Sequence, residues 1–222
     1  MSRARVRAVF FDVGGTLIHP WPSVGDIYAA VANRHGLSVT PQQMENAFRD
    51  SWAALKRPGL TVSRKGWWRE LVFRALGQEH ESCFEELFER FARAEAWRIY
   101  SDAEEALRVV RACGLHTGVI SNWDFRLRPL LGAMGIGQML DSMTISCEVG
   151  FEKPDGRIFH AALAAAGVKP AEGLHVGDSY EEDVRGPRAV GMRALLLDRD
   201  TKRRKNAFIL QSLRDVCYSI SC

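Results

Sequence analysis

Ala8-Val9-Phe10-Phe11-Asp12-Val13-Gly14-Gly15-Thr16-Leu17 is the stretch on which the reading of the whole chain turns. A short apolar run, β-branched and aromatic, ends abruptly in a carboxylate and is followed by two glycines and a hydroxyl residue. Such a run predicts a buried strand. Asp12 then stands at its carboxyl end, where open α/β sheets place their ligands. The glycines allow a tight turn and a close approach of backbone to a bound group.

Outward from this stretch the chain changes character twice. Ile18-His19-Pro20-Trp21-Pro22 holds two prolines and reads as a loop leaving the sheet. Helical periodicity follows. Ile27 and Val31 share a face that ends near Gly36. Thr40-Pro41 signals a capped start for a helix carrying Phe48, Trp52 and Leu55, which Pro58-Gly59 breaks. Ser63 caps a helix carrying Trp68, Leu71 and Val72, and Ser82 opens one carrying Phe84, Leu87 and Phe88. Nothing from Asp26 to Trp97 resembles a strand. From Ser101 onward helices and strands alternate: helix Asp102 to Cys113, strand Thr117 to Ile120, helix Arg126 to Met134, strand Met143 to Ser146, helix Arg157 to Ala166, strand Leu174 to Val176, helix Glu181 to Ala189 and strand Ala194 to Leu197. That order predicts an α/β fold, a parallel sheet covered on both faces by right-handed crossovers. Residues 1–18 and 98–222 then form the core domain, and residues 19–97 a helical insert.

With 222 residues, 46% hydrophobic and 26% charged, the chain suits one domain carrying a smaller insert. A net charge of +3 does not by itself call for nucleic acid, and the run Lys202-Arg203-Arg204-Lys205 reads as a solvated loop. Five scattered cysteines without a C-x-x-C pair fit reduced thiols. The apolar run from Ala8 to Phe11 is too short for a signal core or a membrane span, so a cytoplasmic protein without membrane attachment is expected.

The polar residues fall at the strand ends. Asp12, Ser121-Asn122 and Gly177-Asp178 each close a predicted strand, and Lys153 follows another. A parallel sheet gathers these ends at one edge. Carboxylates beside a lysine and a hydroxyl form a constellation for phosphate and a hard cation such as Mg²⁺.

These residues resemble the haloacid dehalogenase superfamily of hydrolases along nearly the whole chain. The resemblance rests on Asp12 to Leu17, Val119-Ile120-Ser121-Asn122, Lys153-Pro154-Asp155, and Gly177-Asp178 with Asp183 five residues on. The longer phrases Lys153 to Phe159 and His175 to Met192, with Trp67-Trp68, look like the hydrolase-domain-containing protein three type within it. The resemblance implies a Rossmann-like core with a helical cap and a small phosphorylated substrate, acting as monomer or homodimer. It implies Asp12 as the nucleophile, forming an aspartyl-phosphate. Mg²⁺ would be held by Asp12, the Gly14 carbonyl and Asp178, with Asp183 in or near that shell. Ser121, Asn122 and Thr16 would bind the phosphoryl group, and Lys153 would neutralise charge.

Gly14 departs from the superfamily. Its phosphatases usually place a second aspartate there, as general acid and then base. Such a group contributes ~10²–10⁴-fold, so turnover is expected to favour leaving groups that need no proton. Restoring an aspartate at position 14 is expected to help alkyl phosphates more than aryl ones. Two other outcomes follow from the same departure: a phosphate-binding protein without turnover, or a phosphonate-cleaving member using Lys56 or Lys65 as a Schiff base. His19, Trp21 and Trp123 are candidates for substrate contact. Each also has an ordinary packing role, as do Trp67 and Trp68. Cys147 is taken as structural, and for Asp183 a place near the metal is preferred to the alternative that Glu181-Glu182-Asp183 forms an acidic first helical turn.

Overall fold

A computed structural model of the protein describes residues 5–55, 64–199 and 208–220. The chain divides into two compact units: Met1–Ile18 with Ile99–Cys222, and His19–Arg98.

In the first unit, strand β1 (Ala8–Phe11) is buried at every position. In chain order, β2 (Ile18–Pro20) and helices α1 (Val24–Arg34), α2 (Pro41–Leu55), α3 (Lys65–Leu76) and α4 (Glu81–Arg90) lead to β3 (Trp97–Ile99). The alternating part follows: α5 (Ala103–Ala112), β4 (His116–Ser121), α6 (Leu127–Ala133), β5 (Ser142–Ile145), α7 (Ser146–Val149), α8 (Gly156–Ala166), β6 (Gly173–Gly177), α9 (Gly186–Ala189), β7 (Arg193–Leu197) and β8 (Ile209–Leu210). The main sheet runs β5-β4-β1-β6-β7-β8, and every neighbouring pair is parallel. This is the Rossmann-like α/β architecture expected. Its core on one face packs Phe10 and Ile120 against Ile158, Phe159 and Leu163 of α8. Asp155 caps that helix by accepting the Arg157 amide at 2.9 Å.

Strand order determines where the site lies. β1 is central, with β4 and β6 on either side. Phe11 stands opposite both Val119 and Val176. Asp12, Ser121 and Asp178 therefore leave the sheet within two residues of this shared level.

Helices α1 to α4 make up the second unit. Thr40 and Gln43 form the reciprocal cap of α2: the Gln43 amide donates to Thr40 Oγ1 at 3.2 Å and the Thr40 amide to Gln43 Oε1 at 2.8 Å. Trp52, Trp67 and Trp68 pack edge to face or tilted with Leu55 and Leu71, which gives the tryptophan pair its packing role.

Several expectations need correction. Ile18–Pro20 is a short strand paired with Trp97–Ile99, not a loop, at the two points where the chain passes between the units. Proline is tolerated there because a two-stranded sheet leaves its edges unpaired. The helix expected from Glu181 begins as a π-helical turn, Tyr180–Arg185, and becomes α-helical only over α9. Helix α4 is capped by His80, whose Nδ1 accepts the Cys83 amide, rather than opened by Ser82. Cys83, Cys147 and Cys217 are free thiols, whereas Cys113 is disulfide-bonded, against the expectation of reduced thiols throughout. The break at Pro58-Gly59, the cap at Ser63, Lys56 and the basic run from Lys202 lie outside the described residues.

The C-terminal segment is tied to the start of α5. Arg199 pairs with Asp102 at 2.9 and 3.1 Å, and Ser212 Oγ and the Leu213 amide donate to the same carboxylate. Arg199 also donates to the Thr16 carbonyl at 2.8 Å and lies 3.7 Å over the Tyr100 ring, which fixes the far end of the loop after β1. No helix among the described residues is long and apolar enough to cross a membrane.

Candidate active site

Parallel pairing puts Asp12 in its place. Its amide donates to the Val176 carbonyl at 2.9 Å, continuing the ladder one residue past β1 and leaving the side chain at the sheet's edge. Gly15 turns the chain with φ +81°, a conformation that residues with a Cβ rarely adopt. A Cβ there would also stand 2.4 Å from Asp178 Oδ2. Gly177 is needed for a different reason: a Cβ would stand 2.3 Å from Asp183 Cγ.

Lys153 is the hub. Its ammonium is buried and donates to Asp12 Oδ1 at 2.6 Å and to Asp183 Oδ1 at 2.7 Å. Asn122 holds the lysine's backbone: its side-chain oxygen accepts the Lys153 amide at 2.7 Å and its Nδ2 donates to the Lys153 carbonyl at 2.9 Å. The same Nδ2 lies 3.2 Å from Glu182 Oε2. Its side chain thus positions Lys153. Ser121 is buried at the end of β4. Thr16 is fully buried, and its hydroxyl has no hydrogen-bond partner among the described residues.

Asp183 is buried inside the π-helical turn, not displayed on an acidic first turn. Its Oδ1 accepts from Lys153 and from His175 Nε2 at 2.9 Å, and its Oδ2 accepts the Ser179 amide at 3.0 Å. Both oxygens are therefore engaged. His175 is a residue that sequence reasoning missed, because a histidine inside a strand reads as core. Burial lowers its pKa and so favours the neutral ring; Nε2–H then donates to Asp183, and Nδ1 has no partner among the described residues. Ser146 was missed for a similar reason: it is a buried hydroxyl whose partner, Trp123, is known only from the fold.

One oxygen from each of Asp12, Asp178 and Asp183 falls within 4.8 Å of the others. Asp178 reaches solvent, while Asp12 and Asp183 are buried. The electrostatics show the crowding. Burial, followed by the charges of Asp183 and Asp178, raises Asp12 to about 7 despite Lys153. Burial and then Asp183 raise Asp178 to about 6. Burial opposes ionisation of Asp183 too, but Lys153 and His175 outweigh it and hold that carboxyl low. In Lys153, burial works against the charge, and Asp12 and Asp183 prevail to raise it.

This donor set fits Mg²⁺. Its atoms are hard oxygens, one carboxylate is open to water, and three carboxylates facing one ammonium leave a negative excess that a cation would neutralise. Asp12 and Asp178 have oxygens to give. Asp183, with both of its oxygens engaged, organises Lys153, His175 and the chain at Ser179. Gly14 is half-buried two residues past Asp12 in the same loop. Lys65, in the second unit, has an acidic partner of its own. It is paired with Glu85 at 2.6 Å on an exposed helix face, 5.0 Å from the Phe88 ring centre. Trp21 packs in the second unit beneath Arg98, at 5.5 Å, and edge-on to His19.

Comparison with known proteins gives the family. The family model for haloacid dehalogenase-like hydrolases matches residues 6–191. The human haloacid dehalogenase-like hydrolase domain-containing protein 3 is 35% identical over 208 residues, covering 88% of this chain and 83% of that protein. A phosphoserine phosphatase from Thermus thermophilus is 38% identical over 162 residues, covering 69% of this chain and 65% of its own. Among solved structures, a HAD hydrolase from Bacillus subtilis bound to magnesium superposes with a TM-score of 0.78 at 15% identity, covering 99% of this chain and all of that one, a likeness of fold.

Proposed function

The chain belongs to the haloacid dehalogenase-like hydrolases, and from that premise we propose that it is a Mg²⁺-dependent phosphatase acting on a small phosphorylated molecule. The observation that carries this reading is the buried Lys153 ammonium held between Asp12 and Asp183, with Asp178 converging on the same point. Phosphoryl transfer asks a protein mainly for positioning and charge stabilisation. Asp12 is the nucleophile: one carboxylate oxygen attacks phosphorus, and water later releases phosphate from the acyl-phosphate. Lys153 favours the ionised form of Asp12 and faces the phosphoryl oxygens. Ser121 and the main chain at Asn122 receive the remaining oxygens. Asp12, Asp178 and the Gly14 carbonyl would hold Mg²⁺, which would further neutralise the charge of the transferring group. The phosphoserine phosphatase relative supports a phosphate ester as substrate.

Gly14 also favours a second reading, a protein that binds phosphate without turning it over. A panel of sugar, nucleotide, acyl and aryl phosphates plus a phosphonate, assayed with and without Mg²⁺, separates the two. Mg²⁺-dependent hydrolysis of aryl or acyl phosphates is expected. No turnover above the Asp12→Asn background, with binding of a phosphate analogue intact, overturns the enzyme reading.

A further inference from the structure

The space beside Gly14 is occupied by protein. A Cβ on this residue would lie 3.2 Å from Cζ3 and 3.9 Å from Cη2 of Trp123, so the six-membered edge of the indole faces the position where the superfamily's acid would begin. A contact of 3.2 Å is tighter than side chains ordinarily accept, so the indole would have to give way by a few tenths of an ångström. Trp123 is 8% exposed. Ser146 holds its main chain from both sides, the hydroxyl accepting the Trp123 amide and donating to its carbonyl, each at 3.0 Å. The next turn is pinned by a buried pair, with Arg126 Nη2 donating to Asp124 Oδ2 at 2.6 Å and Nε to Oδ1 at 2.9 Å. Between these anchors Phe125 exposes 66% of its surface, and Tyr180, two residues past Asp178, exposes 52%. The edge of one aromatic ring, that of Trp123, thus stands where a proton donor is missing, at the same sheet edge as Asp12.

We propose that Trp123 selects the leaving group: its indole takes the space of a side chain at position 14 and favours flat leaving groups that depart without a proton, those of aryl and acyl phosphates, over alkyl ones. The proposal rests on the phosphatase reading above. In the first step the Asp12 oxygen–phosphorus bond forms and the phosphorus–oxygen bond of the ester breaks. Its electron pair stays on the aryloxide or carboxylate, which leaves as an anion. In the second step water attacks phosphorus, the acyl-phosphate bond breaks, and the protons of that water leave with the phosphate. No acid at position 14 is required. It follows that Gly14→Asp alone will not restore one, because the aspartate must share its space with the indole.

The test is a cycle of four proteins: wild type, Gly14→Asp, Trp123→Val and the double variant. Each is read by thermal melting and by kcat/KM on aryl phosphates of graded leaving-group pKa plus one alkyl phosphate. The expected melting result is that Gly14→Asp lowers Tm with Trp123 in place and lowers it much less in the Trp123→Val background. The expected kinetic result is a steep dependence on leaving-group pKa in wild type and Gly14→Asp. Trp123→Val alone should narrow the aryl-over-alkyl preference through KM, and the double variant should flatten the slope and gain at least about tenfold on the alkyl ester, the lower end of what a general acid contributes. Additive Tm shifts, or a slope that Gly14→Asp flattens by itself, would overturn the proposal. Coupled Tm shifts with no hydrolysis by any of the four would instead overturn the phosphatase reading, and the selectivity with it.

Discussion

Lys153 Nζ lies 2.6 Å from Asp12 Oδ1 and 2.7 Å from Asp183 Oδ1, so one buried ammonium joins the end of β1 to the π-helical turn after β6. The three residues come from segments far apart in sequence: the parallel pairing of β1 with β6 brings Asp12 and Asp183 together, and Asn122, just past β4, holds the Lys153 backbone beside them. Removing one partner of such a buried cluster leaves charge without compensation, a loss of about 3–5 kcal/mol.

Lys153→Met is therefore expected to destabilise the protein by about that amount in urea unfolding with a chelator present. Mg²⁺ should recover more stability in this variant than in wild type, since the carboxylates then have no other cation. A cost below about 1 kcal/mol, the range of a surface pair, would show that the ammonium is not what holds the cluster.

Asp178 and Asp183 should separate under metal titration. Asp178→Asn is expected to abolish the rise in Tm that Mg²⁺ produces in wild type, a rise worth about 2.7 kcal/mol at a hundredfold excess over Kd. Asp183→Asn keeps the two donors with free oxygens and loses their support, so the Mg²⁺ concentration for half-maximal stabilisation should rise about 10–100-fold. Equal effects from the two variants would make Asp183 a direct ligand.

Asp102 gives a pH test at a carboxylate that is not one of the three that converge at Asp12. Burial pushes its carboxyl up, and the bonds from Arg199, Ser212 and Leu213 outweigh that and hold it below the usual carboxylate range. A carboxyl with a depressed folded pKa stabilises the protein above its unfolded value, near 3.9, and loses that contribution as pH falls through the folded value. Asp102→Asn should thus be less stable than wild type at neutral pH by about 3 kcal/mol, with the gap narrowing only below about pH 4. Denaturant midpoints at neutral and acid pH measure it. A gap that does not change with pH would mean that the carboxylate's charge plays no part.

Ser146→Ala leaves the Trp123 amide and carbonyl without their side-chain partner, at a cost of about 1–3 kcal/mol. Because Ser146 acts through Trp123, its substitution is expected to shift KM for aryl phosphates more than kcat. Cysteine at this position, a weaker donor and acceptor of similar size, should recover part of the effect.

The core of the fold and the residues at its strand ends were legible in the sequence because a parallel sheet has few ways to arrange them. Apolar runs that end in Asp12, in Ser121-Asn122 and in Gly177-Asp178 must converge once the strands pair side by side. Residues whose role depends on a three-dimensional partner were not legible. His175 looks like any buried strand residue until Asp183 is found 2.9 Å away. Asn122 reads as a phosphate ligand until its side chain is seen holding the Lys153 backbone. The strand Ile18–Pro20 is hidden by Pro20 and the nearby Pro22 and has only three residues, and β8 has only two. The π-helical turn has no periodicity of its own to announce it. Gly14 was visible as an absence, and only the fold shows that Trp123 stands against it.

The central claim is that Asp12 is a nucleophile and not only part of a binding site. Acid quenching during steady-state turnover of an aryl phosphate with Mg²⁺, followed by mass spectrometry of the digested chain, tests it directly. The account predicts a phosphoryl group on the peptide that contains Asp12, and neither adduct nor turnover in Asp12→Asn. Sustained hydrolysis by Asp12→Asn, or a phosphoryl group found on another residue, would contradict it.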